Sequence, residues 1–238
     1  MPEELGTILE NLEDIVEEVF GDLKIYRGTF RVSNNKKILI TTAWSGWGKV
    51  SAARATTRII SHSKLGEEID FLIFTGLAGA VDEKLNQWDI IIGDSVMQHD
   101  MDASPIFNKF VIPALKKDKL TPCKNLLEKT TDILRKKESI KYLERFGSIK
   151  KGLIATGDEF ISDYKKLEKL AIDIPKLLCV EMEGGAFAQV ASQENMSWII
   201  LRVISDGANE SAAQVFTEFV NDYKIHSWNL IKTILINL

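Results

Sequence analysis

The chain has 238 residues and carries 30 Lys and Arg against 34 Asp and Glu, a net charge of −4. That length fits one α/β domain whose core needs no disulfide or metal to hold it, and the scattered charges form no basic stripe for nucleic acid. Cys123 and Cys179 stand far apart without metal-ligand spacing and read as ordinary thiols of a reducing compartment. The start, Met1-Pro2-Glu3-Glu4, is acidic where a secretory signal would be basic and then apolar. No apolar run approaches the roughly 18 residues of a membrane span. The expectation is a cytosolic globular protein with no membrane or nucleic-acid partner.

In chain order, Glu4 to Phe20 places Leu5, Ile8, Leu9, Leu12, Ile15, Val16 and Val19 at helical spacing, closed by Gly21, and predicts a helix. Lys24–Val32 and Lys37–Ala43 flank Ser33-Asn34-Asn35 and predict a hairpin. Gly46 and Gly48 lead into a small-residue helix from about Lys49 to Ser63. Ile69–Thr75 is a largely apolar strand ending in Gly76-Leu77-Ala78-Gly79-Ala80, and Asp89–Val96 is another strand, emptying into Met97-Gln98-His99-Asp100. Asp102 to Leu120 reads as loop, Pro122–Lys137 as a charged helix, and Gly152–Thr156 as a strand ending in Gly157-Asp158-Glu159-Phe160-Ile161. Lys176–Val180 and Trp198–Ile204 are further apolar strands. Ala212–Leu238 is a helix with Phe216, Phe219, Val220, Tyr223, Leu230, Ile231, Ile234 and Leu235 on its stripe. Strands alternating with helices predict a mostly parallel sheet covered on both faces. With no repeat or linker, residues 1–238 form a single domain.

Acidic residues gather where two of these strands end: Val180-Glu181-Met182-Glu183 and Arg202-Val203-Ile204-Ser205-Asp206. A buried charge without a partner loses its hydration, and the carboxyl ends of strands are where open α/β sheets bind ligands. Each acid alone could simply cap the helix that follows; two such segments beside glycine-rich turns point to a site.

These segments, taken with Gly76 to Ala80, His99-Asp100 and Gly157-Asp158-Glu159-Phe160-Ile161, occur in the order and spacing of a known group. The chain resembles the 5'-methylthioadenosine/S-adenosylhomocysteine nucleosidases of the purine nucleoside phosphorylase superfamily, over nearly its whole length. The resemblance implies a three-layer α/β/α sandwich around a mixed, partly barrel-like sheet. It implies hydrolysis of the N-glycosidic bond of 5'-methylthioadenosine or S-adenosylhomocysteine, a place in methionine salvage, no cofactor or metal, and a homodimer.

The roles it implies make chemical sense, because cleaving this bond needs an acid for the purine, a base for water and a grip on the ribose. By similarity Asp206 protonates adenine N7 and Ser205 holds it in place. Glu183 accepts the ribose hydroxyls beside Glu181, Met182 packs under the sugar, and Arg202 organises the water and carboxylates. Phe160 stacks on adenine with the Ile161 backbone reading its edge, and Phe216 joins the substrate-binding set. Met1 and Glu4 match the family's methionine and, three residues on, its catalytic glutamate, so Glu4 is the base and Met1 a ribose contact. The 99–107 loop, through Ile106 or Phe107, closes the partner's 5' pocket.

Departures from the pattern also appear. Family members carry an apolar strand immediately before the Met…Glu motif, which here opens the sequence, so the sheet is expected without its first strand. Leu77 stands where a serine or threonine usually sits, and Trp47 replaces a smaller aliphatic residue that borders the 5' substituent. Arg27, Arg31, Arg54 and Arg58 show no glycine-linked phosphate arrangement, which favours water over phosphate as acceptor. The rivals are another purine nucleosidase or phosphorylase of this fold, with a futalosine-type substrate for example, and a catalytically impaired nucleoside-binding protein.

Overall fold

The computed structural model describes residues 5, 7–63, 69–136, 143–208 and 212–238. Met1 and Glu4, the expected ribose contact and base, lie outside the described residues. In chain order the elements are β1 (Glu13–Phe20), β2 (Leu23–Arg31), β3 (Lys37–Ala43), α1 (Lys49–Ser63), β4 (Leu72–Ala80), β5 (Ile90–Gln98) and α2 (Lys124–Arg135). There follow β6 (Ile149–Thr156), α3 (Tyr164–Asp173), β7 (Leu177–Glu181), α4 (Gly184–Gln193), β8 (Trp198–Asp206) and α5 (Ala212–Asn237).

β4, β7, β6, β5 and β8 close into a barrel in that order, while β1, β2 and β3 form a separate antiparallel sheet. Barrel pairing is mixed: β4 runs parallel to β8 and β6 parallel to both β5 and β7, whereas β5 with β8 and β4 with β7 are antiparallel. β8 explains why such strands read as unbroken apolar runs. Its Trp198, Ile200 and Ile204 join one core with Ile60 of α1 and Phe187, Ala188 and Ala191 of α4. Its Ile199, Leu201 and Val203 join another with Leu126 and Leu134 of α2 and Phe219, Tyr223 and Ile234 of α5. Successive side chains point to opposite faces, so a strand covered on both needs apolar residues throughout. The expected α/β architecture with a partly barrel-like mixed sheet is what the chain adopts.

The first segment departs from its expected helix. Leu9–Asn11 forms a short 3₁₀ turn, and Glu13–Phe20 is a strand. Leu5, Ile8, Leu9 and Leu12 do bury one face, against Phe30, Trp228 and Leu235. From Glu13 onward, β-branched Ile15, Val16 and Val19 favour the extended form. Gly21, at φ +65°, supplies the left-handed turn that pairs Phe20 with Leu23. Asp14 at φ +54° and a register shift between Glu13 and Val16 break the strict alternation that would have marked a strand. Two helices, α3 and α4, were not among the expected elements; α3 is started by Asp163, whose side chain accepts the Lys165 N–H at 2.8 Å.

Among the described residues, no strand pairs with the outer edge of β3, or with β4 from Leu72 to Ala78 on the side away from β8. These two edges border a groove of about 430 Å³ lined by Ile38, Ile40, Thr42, Ile73, Thr75 and Phe187. Backbone groups at such edges gain partners from an added strand, and each apolar side chain buried there contributes about 1.5–3 kcal/mol. Extending the chain at its amino end by about six apolar, β-prone residues is therefore expected to raise the melting midpoint by about 10 °C. Thermal unfolding of the two versions checks this; equal midpoints would mean that the groove does not take a strand.

Candidate active site

The carboxyl ends of β3, β4, β6, β7 and β8 open on one cavity of about 170 Å³. At its floor lies a buried ion pair. Arg202, in the middle of β8, donates from Nη2 to Glu181 Oε2 at the end of β7, with side chains 3% and 2% exposed. Glu181 is engaged further by the Glu183 N–H at 3.1 Å, the Gly184 N–H at 2.7 Å and the Thr156 hydroxyl on its other oxygen. Thr156 Oγ1 in turn accepts the Gly185 N–H at 2.6 Å. The start of α4 is thus stitched to β6 and β7, and a charge that would be costly alone is matched by four protein donors. The Arg202 guanidinium also lies 4.7 Å from the centre of the Phe74 ring.

Glu183 faces the same cavity. Its Oε1 accepts the Gly48 N–H at 2.9 Å, and Oε2 is 3.7 Å from Arg202 Nη2. Gly48 sits at φ +85° and Gly46 at φ +88°, so the turn carrying Trp47 adopts a left-handed backbone that glycine takes without strain.

Asp206 ends β8 on another wall. Its Oδ2 accepts the Ser205 hydroxyl at 2.6 Å and its Oδ1 accepts the Ala208 N–H at 2.8 Å. Burial pushes its carboxyl above the ordinary carboxylate range and outweighs these two bonds, which act the other way. The strand end is held by the Gln87 side chain, which donates to Ser205 O at 2.7 Å. Gly79 lets β4 approach it: a Cβ there would stand 2.8 Å from Ala208 Cβ and 3.0 Å from Asp206 Oδ1.

Aromatic rings form the remaining wall. Phe216 of α5 meets Trp47 edge-on at 6.2 Å and Phe160 at 5.9 Å. Trp47 is 48% exposed and lies toward the mouth. Of the residues expected at the site, Trp47, Leu77, Phe160, Ile161, Glu181, Met182, Glu183, Arg202, Ser205, Asp206 and Phe216 all line this cavity. Phe107 does not line it. Sequence reasoning did not assign Leu5, Ile8, the Gly48 N–H, Thr156 or the α5 residues Ser227, Trp228 and Ile231 to the site. Only the Gly46-Trp47-Gly48 pattern could have pointed to one of them, since a buried backbone donor leaves no trace in side-chain identity.

Arg202 is the one arginine of the described residues on the cavity wall. Arg31 pairs with Glu13, Arg54 with Asp22, and Arg58 lies over Phe20.

A family model for the phosphorylase superfamily matches residues 1–236. The 5'-methylthioadenosine/S-adenosylhomocysteine nucleosidase of Staphylococcus aureus strain MRSA252 is 32% identical over 237 residues, covering 99% of this chain and 96% of that protein. The crystal structure of the Neisseria meningitidis nucleosidase of the same name, in complex with methylthio-immucillin-A, superposes with a TM-score of 0.87 at 28% identity, covering 100% of this chain and 96% of that one. Futalosine hydrolase of Helicobacter pylori superposes with a TM-score of 0.85 at 27% identity, covering 100% and 95%. With the superfamily matched from end to end and a nucleosidase sharing about a third of its residues, the chain belongs to the phosphorylase superfamily and, within it, to the 5'-methylthioadenosine/S-adenosylhomocysteine nucleosidase family.

Proposed function

We propose that the protein hydrolyses the N-glycosidic bond of 5'-methylthioadenosine, S-adenosylhomocysteine or both, releasing adenine and the 5-thioribose derivative. The observation that carries this is a division of labour between carboxyls on one cavity. Asp206 is biased by burial toward its protonated form, while Glu183 is held beside Arg202 and a backbone N–H. Asp206 gives its proton to adenine N7 as the bond to C1' breaks, and Ser205 keeps its carboxyl in place. Glu183 accepts the 2'- and 3'-hydroxyls, Met182 packs under the ribose, and Phe160 and Phe216 enclose the base. Glu181 holds Arg202, which orders the attacking water. Glu4 takes that water's proton and Met1 contacts the sugar. Water adds at C1' and adenine leaves neutral, so the proton taken from water balances the one given to the purine.

Among the described residues Arg202 is the one arginine on the cavity wall, which supports water as the acceptor, since a phosphate dianion calls for more positive charge. Adenine release is expected to proceed at the same rate with and without inorganic phosphate; a strict requirement for phosphate would make the enzyme a phosphorylase. The likeness to futalosine hydrolase supports a second reading, a riboside with a larger 5' group, and parallel assays of base release from each riboside distinguish them. The protein acts in the cytosol, in methionine salvage, as a homodimer. Ile106 is 82% exposed and Phe107 leaves its own cavity unlined, which fits a 99–107 loop reaching a partner. The mass in solution by light scattering tests the dimer.

Asp206→Asn is expected to keep the fold and lower turnover about 10²–10⁴-fold, the usual contribution of a general acid. Activity needs the protonated carboxyl, so wild-type kcat/KM should fall as pH rises through the raised pKa of Asp206, and the variant should lack that limb. The folded state holds this proton above 3.8, where the unfolded state loses it, so the charge destabilises the fold as pH rises through that window. Above the window, Asp206→Asn should melt no lower than the parent. Near-normal turnover in the variant removes Asp206 from the mechanism.

Glu183→Gln is expected to raise KM for ribosides about 10- to 100-fold, since hydrogen bonds to a charged acceptor contribute about 1.5–3 kcal/mol, and to leave the inhibition constant of free adenine unchanged. A wild type that does not discriminate adenosine from 2'-deoxyadenosine analogues would contradict the sugar role.

A further inference from the structure

At the cavity mouth, segments far apart in sequence meet on one lysine. Lys49, the first residue of α1, donates its backbone N–H to Asp158 Oδ1 at 2.7 Å and its Nζ to Asp100 Oδ1 at 2.7 Å. The Asp158 N–H donates to the other Asp100 oxygen at 3.0 Å, and Lys49 Nζ lies 3.9 Å from Asp158 Oδ2. The loops after β3, β5 and β6 are thereby closed into one ring of hydrogen bonds. The Lys49 side chain is 18% exposed and that of Asp100 32%, while Asp158, at 49%, forms the outer side of the ring. Burial raises the Asp100 pKa, yet the Lys49 bond and the Asp158 N–H prevail and hold it below its ordinary value.

The ring leaves little slack. A Cβ on Gly48 would stand 3.0 Å from Asp158 Oδ1, and one on Gly157 would collide with His99. Gly48 directly precedes Lys49, and its N–H is the donor to Glu183 Oε1. Fixing Lys49 at both its backbone and its ammonium therefore fixes the direction of that N–H.

We propose that Lys49, through Asp100 and Asp158, is a positioning residue for riboside binding: it locks the Gly46–Gly48 turn so that the Gly48 N–H holds the Glu183 carboxylate ready for the sugar hydroxyls. This rests on the sugar role given to Glu183 above. Lys49 touches no substrate itself; it acts through one backbone donor. The same lock holds the Trp47 turn against the loop that carries Phe160.

The test is a double-mutant cycle of Lys49→Met and Glu183→Gln, read as riboside KM, kcat and the inhibition constant of adenine. Lys49→Met is expected to raise riboside KM about five- to tenfold, within the range of couplings between residues of one network. Turnover and adenine inhibition should stay within about twofold, the signature of lost ground-state binding. In the Glu183→Gln background the same substitution should add nothing. Asp100→Asn, which keeps the shape but removes the charge facing Lys49, should act in the same direction and serves if the lysine variant folds poorly. An unchanged KM in Lys49→Met overturns the proposal, as does an equal rise in both backgrounds or an equal loss of adenine affinity. If Glu183→Gln itself leaves riboside KM unchanged, the sugar role falls and takes the proposal with it. If Glu183→Gln raises KM and Lys49→Met does not, only the proposal falls.

Discussion

The buried pairing of Arg202 with Glu181 is the constraint around which the site is arranged. β8 is buried along its whole length, and a guanidinium in its middle is tolerable only if a carboxylate reaches it. Glu181 does so from the end of β7, with Thr156 of β6 and two N–H groups of the following turn completing its shell. That requirement fixes the relative position of the ends of β6, β7 and β8. Small residues follow from it: at Gly184 and Gly185 a Cβ would press on the Glu181 carboxylate and on Thr156.

Once Glu181 is committed to Arg202, the neighbouring acids are free to differ in character. Glu183 sits where a cation and a backbone N–H favour its charge. Asp206 sits where burial disfavours it. One carboxyl is thereby suited to accept hydrogen bonds and the other to hold a proton it can give. No new element is needed for it; the same β8 delivers the arginine from its middle and the acid from its tip.

Much of the fold was legible because it depends on local pattern. The hairpin of β2 and β3, the small-residue α1, the apolar β5 and β8 and the long α5 stand where alternation, apolar runs and helical stripes put them, whereas β4, expected to end at Thr75, runs on through Gly76-Leu77-Ala78-Gly79 to Ala80 because those residues pair with β8. The first segment was not. Leu5 to Leu12 packs with helix-like spacing, and the residues after it continue that spacing by chance. β-branching, a bulge at Asp14 and the turn at Gly21 turn the chain into a strand instead. α4 was hidden for the opposite reason. Buried on most sides among glycines and alanines, it has no polar face to set off an apolar one.

The candidate site divides along the same line. By itself the sequence determined which chemical groups are present: acids and an arginine at the ends of apolar strands, aromatics after a glycine turn, and a motif order that marks the superfamily. Side-chain identity and spacing along a strand are local, so they survive in one dimension. Tertiary structure alone decided which acid pairs with Arg202, which is pushed toward its neutral form, and that Gly48 and Lys49 reach Glu183 and Asp158 across 135 and 109 residues of chain. Those outcomes depend on burial and on backbone donors brought together by barrel closure, and neither quantity belongs to any residue until the strands have closed.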